Sequence, residues 1–314
     1  MAEVRSCPGC GRSDFSDLFK ARDHLVTGES FRIAQCCGCG LVVTADPPEE
    51  QDIGRYYLSD DYISHSDKKQ NLTEVSYHLA RKFMLGRKFR LVRRATGKST
   101  GTIVDIGSGT GYFASFMQQK GWNVTGVELN DRAREFSAAK FGIRTLTPAG
   151  ISDLKDASAD CVTLWHVLEH LYHPEKWMGE IRRILADDGR CIIALPNIES
   201  SDAQWFGENW AALDVPRHLW HFSPDSLLHL AEKHGFVCEA IRPLPLDLFY
   251  ISALSYRNRS RRVALLSGVV TGLFLAVVNL FRSNRASSLI YVIRSSSTCQ
   301  ATGTSWVCPR NGLP

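Results

Sequence analysis

The stretch Ile103-Val104-Asp105-Ile106-Gly107-Ser108-Gly109-Thr110-Gly111 constrains this chain more than any other part of it. Its β-branched opening reads as a buried strand, and a helix start near Tyr112 follows the glycines. Glycines let a turn approach a ligand closely, and a helix N-terminus presents free amides to it. The third glycine follows the second by two residues, whereas a dinucleotide fingerprint needs three. Asp105, just ahead of the turn, suits a cationic ligand better than a phosphate. Twenty-one residues after Gly107 a second strand ends in Glu128, a carboxylate able to accept both ribose hydroxyls of an adenosine. The competing reading is a purely structural turn in some other α/β protein; strand, loop, helix, strand and terminal acid together speak against it.

Downstream the sequence alternates. Strands are expected at Thr102–Ile106, Asn123–Val127, Ile143–Leu146, Asp160–Leu164, Arg190–Leu195, Phe236–Ile241 and finally Ser288–Arg294. Helices are expected at Tyr112–Lys120, Arg132–Phe141, Glu175–Leu185 and Pro224–His234. This pattern implies a doubly wound α/β sheet, predominantly parallel. The domain reading is a cysteine-rich module at 1–50, a helical linker at 51–100, the α/β domain at 101–294 with an insert at 248–286, and a tail at 295–314.

The loop, the strand and the terminal acid resemble those of the class I S-adenosylmethionine-dependent methyltransferases, over about residues 75–247 and again at the last strand. The resemblance implies a Rossmann-like, seven-stranded sheet with an antiparallel last strand. It places Asp105, Gly107, Ser108, Gly109 and Gly111 at the methionine end of S-adenosylmethionine and Glu128 at its ribose. Leu164, Trp165 and His166, in the segment Leu164-Trp165-His166-Val167-Leu168-Glu169-His170, then pass beneath the sulfonium, with Gly150 and Ile151 as adenine candidates. The opening cysteine pairs, the stretch from Arg55-Tyr56-Tyr57 to Tyr62, and Pro216-Arg217-His218-Leu219-Trp220-His221-Phe222-Ser223 resemble a narrower set. These are bacterial sugar C-methyltransferases with an N-terminal zinc-binding module.

Cys7-Pro8-Gly9-Cys10 and Cys36-Cys37-Gly38-Cys39 form two C-x-x-C pairs. Two such knuckles make a tetrahedral thiolate site, so Cys7, Cys10, Cys36 and Cys39 are candidate ligands of a structural zinc. A redox dithiol or a set of reduced thiols is the alternative, and Cys37 is the ambiguous member.

Methyl transfer from a sulfonium requires alignment of donor and acceptor and removal of a proton from the acceptor. His218 and His166 are the candidate bases; packing of His218 and His221 between aromatic rings is the competing reading. His170 and His173 read as structural residues of a helix start. In the sugar enzymes a Glu-His pair stands where this chain has Arg217-His218, so Arg217 is a candidate holder of an anionic group. Trp205, Phe206, Trp210, Trp220 and Phe222 read either as an aromatic lid or as a satellite core.

The formal net charge of +4 divides unevenly. Residues 1–247 hold 29 basic and 33 acidic groups, while the last 67 residues hold eight arginines and no acid. The acidic body weighs against nucleic acid as a partner and so against an RNA methyltransferase. A small-molecule acceptor, sugar- or glycolipid-related, is the favoured partner; a non-catalytic cofactor-binding protein is the rival. Residues 75–104 carry eight basic groups and no acid, read first as a solvated helix face and second as a surface for an anionic substrate or membrane. Val263–Phe281 has 19 residues without a charge. Peripheral contact with the inner membrane face and an oligomer interface are the two readings of it. No apolar signal stretch opens the chain, which with the clustered cysteines suggests a cytoplasmic, reducing setting.

Overall fold

A computed structural model describes residues 3–57, 72–244, 247–259, 271–272, 275 and 283–296, with side chains of 72–80 and 283 left aside. Tyr62, most of the apolar segment 263–281 and the tail after 296 lie outside the described residues. Among the described residues no helix is long and apolar enough to cross a membrane.

The N-terminal strands are β1 (Phe15–Arg22), β2 (Ser30–Cys36) and β3 (Val42–Thr44). Helix α1 (Leu72–Thr96) leads into β4 (Thr102–Ile106), α2 (Tyr112–Gln119), β5 (Asn123–Val127), α3 (Asp131–Phe141) and β6 (Arg144–Leu146). There follow β7 (Ala159–Trp165), α4 (Pro174–Ile184), β8 (Leu185–Pro196), α5 (Ser201–Phe206), β9 (Trp220–His221) and α6 (Pro224–Lys233). The chain ends through β10 (Phe236–Pro243), α7 (Asp247–Arg259) and β11 (Ser288–Ser295).

Seven strands form one sheet in the order β10-β11-β8-β7-β4-β5-β6, and β11 runs antiparallel to both neighbours. This is the Rossmann-like sheet expected from sequence, the antiparallel closing strand included. The order reverses between β4 and β7, where ligands of doubly wound sheets bind at the carboxyl ends of the strands. The central strands β4, β7 and β11 and the second half of β8 are buried on both faces: Ile103, Cys161, Ile192 and Ile290 turn to one core, Val104, Val162, Cys191 and Ile293 to the other. Ser223 caps α6 through a reciprocal bond with Ser226, and Asn130 caps α3 by accepting from Ala133.

The N-terminal strands form a second, antiparallel sheet whose fourth strand is β9. The short β9 belongs by sequence to the α/β half, so the two halves share a sheet. Thr44 fastens the seam: its amide donates to Leu219 O (2.9 Å) and its Oγ1 to His218 O (2.8 Å). The Arg217 guanidinium, buried, pairs with Asp23 (3.0 Å) and Asp214 (2.8 Å) and donates to Tyr56 O. Arg217 is therefore consumed by the seam and is no holder of a substrate anion. Of the aromatic group, Phe206, Trp210, Trp220 and Phe222 are buried in core clusters and Trp205 is exposed, so the satellite-core reading describes four of the five.

Candidate active site

At the end of β4, Asp105 is buried and accepts from Thr163 Oγ1 (2.6 Å). Burial pushes its carboxyl up to about 6 against the pull of Thr163 and Lys88. The Gly107 and Ser108 amides both donate to Val127 O, folding the loop onto β5. Gly107 has φ +70°, and a Cβ there would lie 2.3 Å from Val167 Cγ2, so no larger residue fits. Gly109, at φ +53°, faces open space on its Cβ side, whereas Gly111 abuts Ser137. Glu128 is fixed by two amides: Oε2 accepts from Gly109 N (2.8 Å) and Oε1 from Asn130 N (2.9 Å). The structure thus brings Asp105, Gly107, Ser108, Gly109, Gly111 and Glu128 to one edge. The buried Ser108 Oγ has no hydrogen-bond partner there, and Leu129, which sequence did not single out, is 74% exposed beside Glu128. Ile151, by contrast, lies in the core.

The exit of β7 supplies the opposite wall. Leu164 is fully buried, so its contribution is backbone position. The Trp165 ring stands edge-on to Phe113 (5.6 Å), and its Nε1 is buried without a partner. His166, at φ +59°, ion-pairs through Nε2 with Asp247 (3.3 Å) and through Nδ1 with Glu169 (3.5 Å). Burial alone would lower its pKa; Asp247 and Glu169 overcome this and raise it to about 9. Non-glycine residues in left-handed backbone concentrate at functional sites.

Lys88 of α1 was not foreseen. Its Nζ sits 4.2 Å from the Trp165 ring centroid, and burial pushes the ammonium down to about 8 despite Asp105 and Asp247. Beside it opens a cleft of about 400 Å³ lined by Met84, Arg87, Arg90, Arg94, Arg242 and Trp165, among others, with no described acid in the lining.

A second group gathers behind His166. Glu169, His170 and His218 each place a ligand atom within 4.8 Å of the other two. The rings of His170 and His218 meet edge-to-face at 4.6 Å. His221 lies nearby on β9 with Nε2 3.1 Å from Thr44 Oγ1. His218, the other candidate base, thus belongs to this group.

At the far end of the N-terminal sheet the sulfurs of Cys7, Cys10, Cys36 and Cys39 all lie within 4.8 Å of one another, and none is in a disulfide. Cys7–Cys39 and Cys10–Cys36 are each 3.4 Å apart, close to the roughly 3.8 Å that tetrahedral zinc–sulfur bonds of about 2.3 Å require. The knuckle glycines are pressed against the sulfurs: a Cβ at Gly38 would lie 3.0 Å from Cys10 Sγ. Cys37 is exposed and stands outside the cluster.

Comparison with known proteins bears on the α/β half. The model of the family described as "Methyltransferase domain" matches residues 78–241. The ubiquinone biosynthesis O-methyltransferase of Nitrosomonas europaea is 23% identical over 154 residues, 45% of this chain and 66% of that protein. A probable S-adenosylmethionine-dependent methyltransferase of Mycolicibacterium smegmatis is 26% identical over 153 residues, 48% of this chain and 56% of that protein. The chain thus spans between about half and two thirds of these relatives. Among solved structures, an S-adenosylmethionine-dependent methyltransferase of Archaeoglobus fulgidus superposes with a TM-score of 0.48 at 20% identity, covering 69% of this chain and 94% of the other. With the family model covering more than half of its length, the chain belongs to the class I S-adenosylmethionine-dependent methyltransferases.

Proposed function

We propose that the chain transfers a methyl group to a carbon or oxygen of a small acceptor that carries an anionic group, such as a nucleotide-linked sugar or a glycolipid head group. The observation that carries this reading is the cation-lined cleft that meets the cofactor edge at Trp165 and Lys88. Arg87, Arg90, Arg94 and Arg242 are among its lining residues, and guanidinium groups hold phosphate oxygens in pairs. The partnerless Trp165 Nε1 is a buried donor awaiting an acceptor atom.

S-Adenosylmethionine supplies an electrophilic methyl carbon. Glu128 would hold its ribose, Leu129 would cover the adenine, and the loop 107–111 with Asp105 would hold the methionine end. Lys88 is the proton acceptor that the geometry supports best, since a half-buried amine lowered to about 8 keeps roughly a tenth of its molecules neutral at pH 7, far more than an ordinary lysine. His166 faces the same carboxylate, Asp247, and is the second candidate. Zinc on Cys7, Cys10, Cys36 and Cys39 is read as structural, because four protein thiolates leave no open position.

Release of S-adenosylhomocysteine from matched pairs of phosphorylated or nucleotide-linked sugars and their neutral parents tests the reading. Turnover is expected for anionic members only. Equal turnover of neutral acceptors, unaffected by Arg90→Gln with Arg94→Gln, overturns it.

A further inference from the structure

We infer that Glu169, His170 and His218 form a divalent-cation site, separate from the four-cysteine cluster. Three observations on different atoms converge on it. The first is placement. Glu169 and His170 lie on the single turn 168–170 after β7, and His218 arrives from the loop before β9. The Leu219 amide, donating to Glu169 O (2.8 Å), locks the two segments together. One carboxylate and two imidazoles thereby converge within 4.8 Å.

The second is the state of the rings. His170 Nδ1 contacts Arg217 O at 3.0 Å, and His218 Nδ1 contacts Ala212 O at 2.9 Å. A carbonyl oxygen only accepts, so each bond places a ring proton on Nδ1 and makes Nε2 the nitrogen available to a cation; Nε2 of His218 also stands 3.9 Å from Asp214 Oδ2. A backbone carbonyl on the distal nitrogen is how proteins orient a metal-binding imidazole.

The third is the carboxylate. Glu169 is 1% exposed, and neither of its oxygens has a hydrogen-bond partner; His166 Nδ1 stands 3.5 Å from one of them. The His166 pair, at 3.5 Å, reaches one oxygen only, and a carboxylate so buried is costly unless its other oxygen is also paired or bound to a cation. A bound cation would satisfy it and engage both imidazoles at once. Two nitrogens and one carboxylate suit Mn²⁺, Fe²⁺, Co²⁺ or Zn²⁺ and leave positions open for water or an oxygen of a ligand. The site lies one imidazole ring, His166, away from Asp247 and the acceptor side of the cleft.

Mn²⁺ is the probe that separates this site from the thiolates, since a hard cation does not displace zinc from four sulfurs. Mn²⁺ added to purified, zinc-containing protein is followed by loss of the free-ion electron paramagnetic resonance signal, with Co²⁺ absorption as a second probe. One equivalent of Mn²⁺ or Co²⁺ is expected to bind. In Glu169→Gln, and independently in His218→Gln, binding should weaken at least tenfold, with S-adenosylmethionine affinity by calorimetry unchanged as evidence of folding. Failure of the parent protein to bind either ion, or unchanged binding in both variants, overturns the proposal. Loss of S-adenosylmethionine binding in the parent would instead strike the cofactor reading and leave this site standing.

Discussion

Lys88 shows how one residue can be invisible in a sequence and central in a fold. Residues 75–104 carry eight basic groups and no acid, so no single cation among them is distinguished by composition or spacing. The rotation of α1 against the sheet decides which one is buried, and that rotation is fixed by contacts of Val92 with the distant sheet core. Lys88 alone reaches the Trp165 ring, and burial lowers its pKa from 10.5 to about 8. A base with that pKa is inactive when protonated. The kcat/KM should therefore rise about tenfold per pH unit below 8 and level off above it. Replacement by Met should remove this limb of the profile, whereas Lys88→Arg should keep the charge and lose turnover at every pH. A profile with its limb intact in Lys88→Met assigns the proton to another group. The glycines of the loop, in contrast, were legible because their backbone demand is local: Gly107 sits at φ +70°, although the side chain that closes on it, Val167, comes from beyond β7.

At the scale of elements, the seam between the two sheets rests on the Arg217 guanidinium. Asp23, its buried partner, would be raised by burial alone, but the Thr27 amide and the Arg217 charge bring its pKa below the usual carboxylate value. The sign follows from linkage: the pair contributes stability above the unfolded pKa of about 3.9, and the contribution is lost as pH falls through the lower folded value. Acid unfolding should begin below about pH 4 at this seam. Arg217→Met, measured by urea unfolding at pH 7, is expected to cost about 3 kcal/mol by leaving a buried carboxylate without its cation. Asp23→Asn added to it should recover part of that loss, and additive effects of the two changes would deny the coupling. The seven strands of the large sheet were readable because most contain a short apolar run bounded by turn residues and joined by helices. The second sheet was not. β1 mixes apolar and polar residues without a clean alternation and is mostly exposed or half-buried, and β9 has only two residues, Trp220 and His221, within a run that aromatic content alone marks. Its pairing with β3 joins positions about 180 residues apart, which no local pattern encodes.

Across the whole molecule, the cysteine cluster and the Glu169–His170–His218 group stand at two ends of one mechanical line. The four sulfurs gather the turns at 7–10 and 36–39, and Cys36 is also the last residue of β2. β2 pairs with β3, β3 with β9, and Thr44 of β3 holds both the His218 carbonyl and the His221 ring. The glycine loop and Glu128 are outside this line, anchored to β4 and β5 by their own hydrogen bonds. Removing the metal should therefore divide the molecule's responses. With zinc read as structural, chelation leaves four thiols packed together without their cation and Cys10→Ser leaves three, and small thiolate modules lose order when the metal goes. Hydrogen exchange should then quicken at the amides of Cys36, Thr44 and Leu219, each of which bonds across this region. Protection of the Gly107 and Ser108 amides, bound to Val127 O, should stay as before. S-Adenosylmethionine affinity should change by less than threefold, about 0.6 kcal/mol, while acceptor turnover falls as the 217–221 loop loosens. Uniform loss of protection over the glycine loop as well would show that the two sheets unfold as one unit. No change at Leu219 would show that β9 holds its place through the α/β half alone.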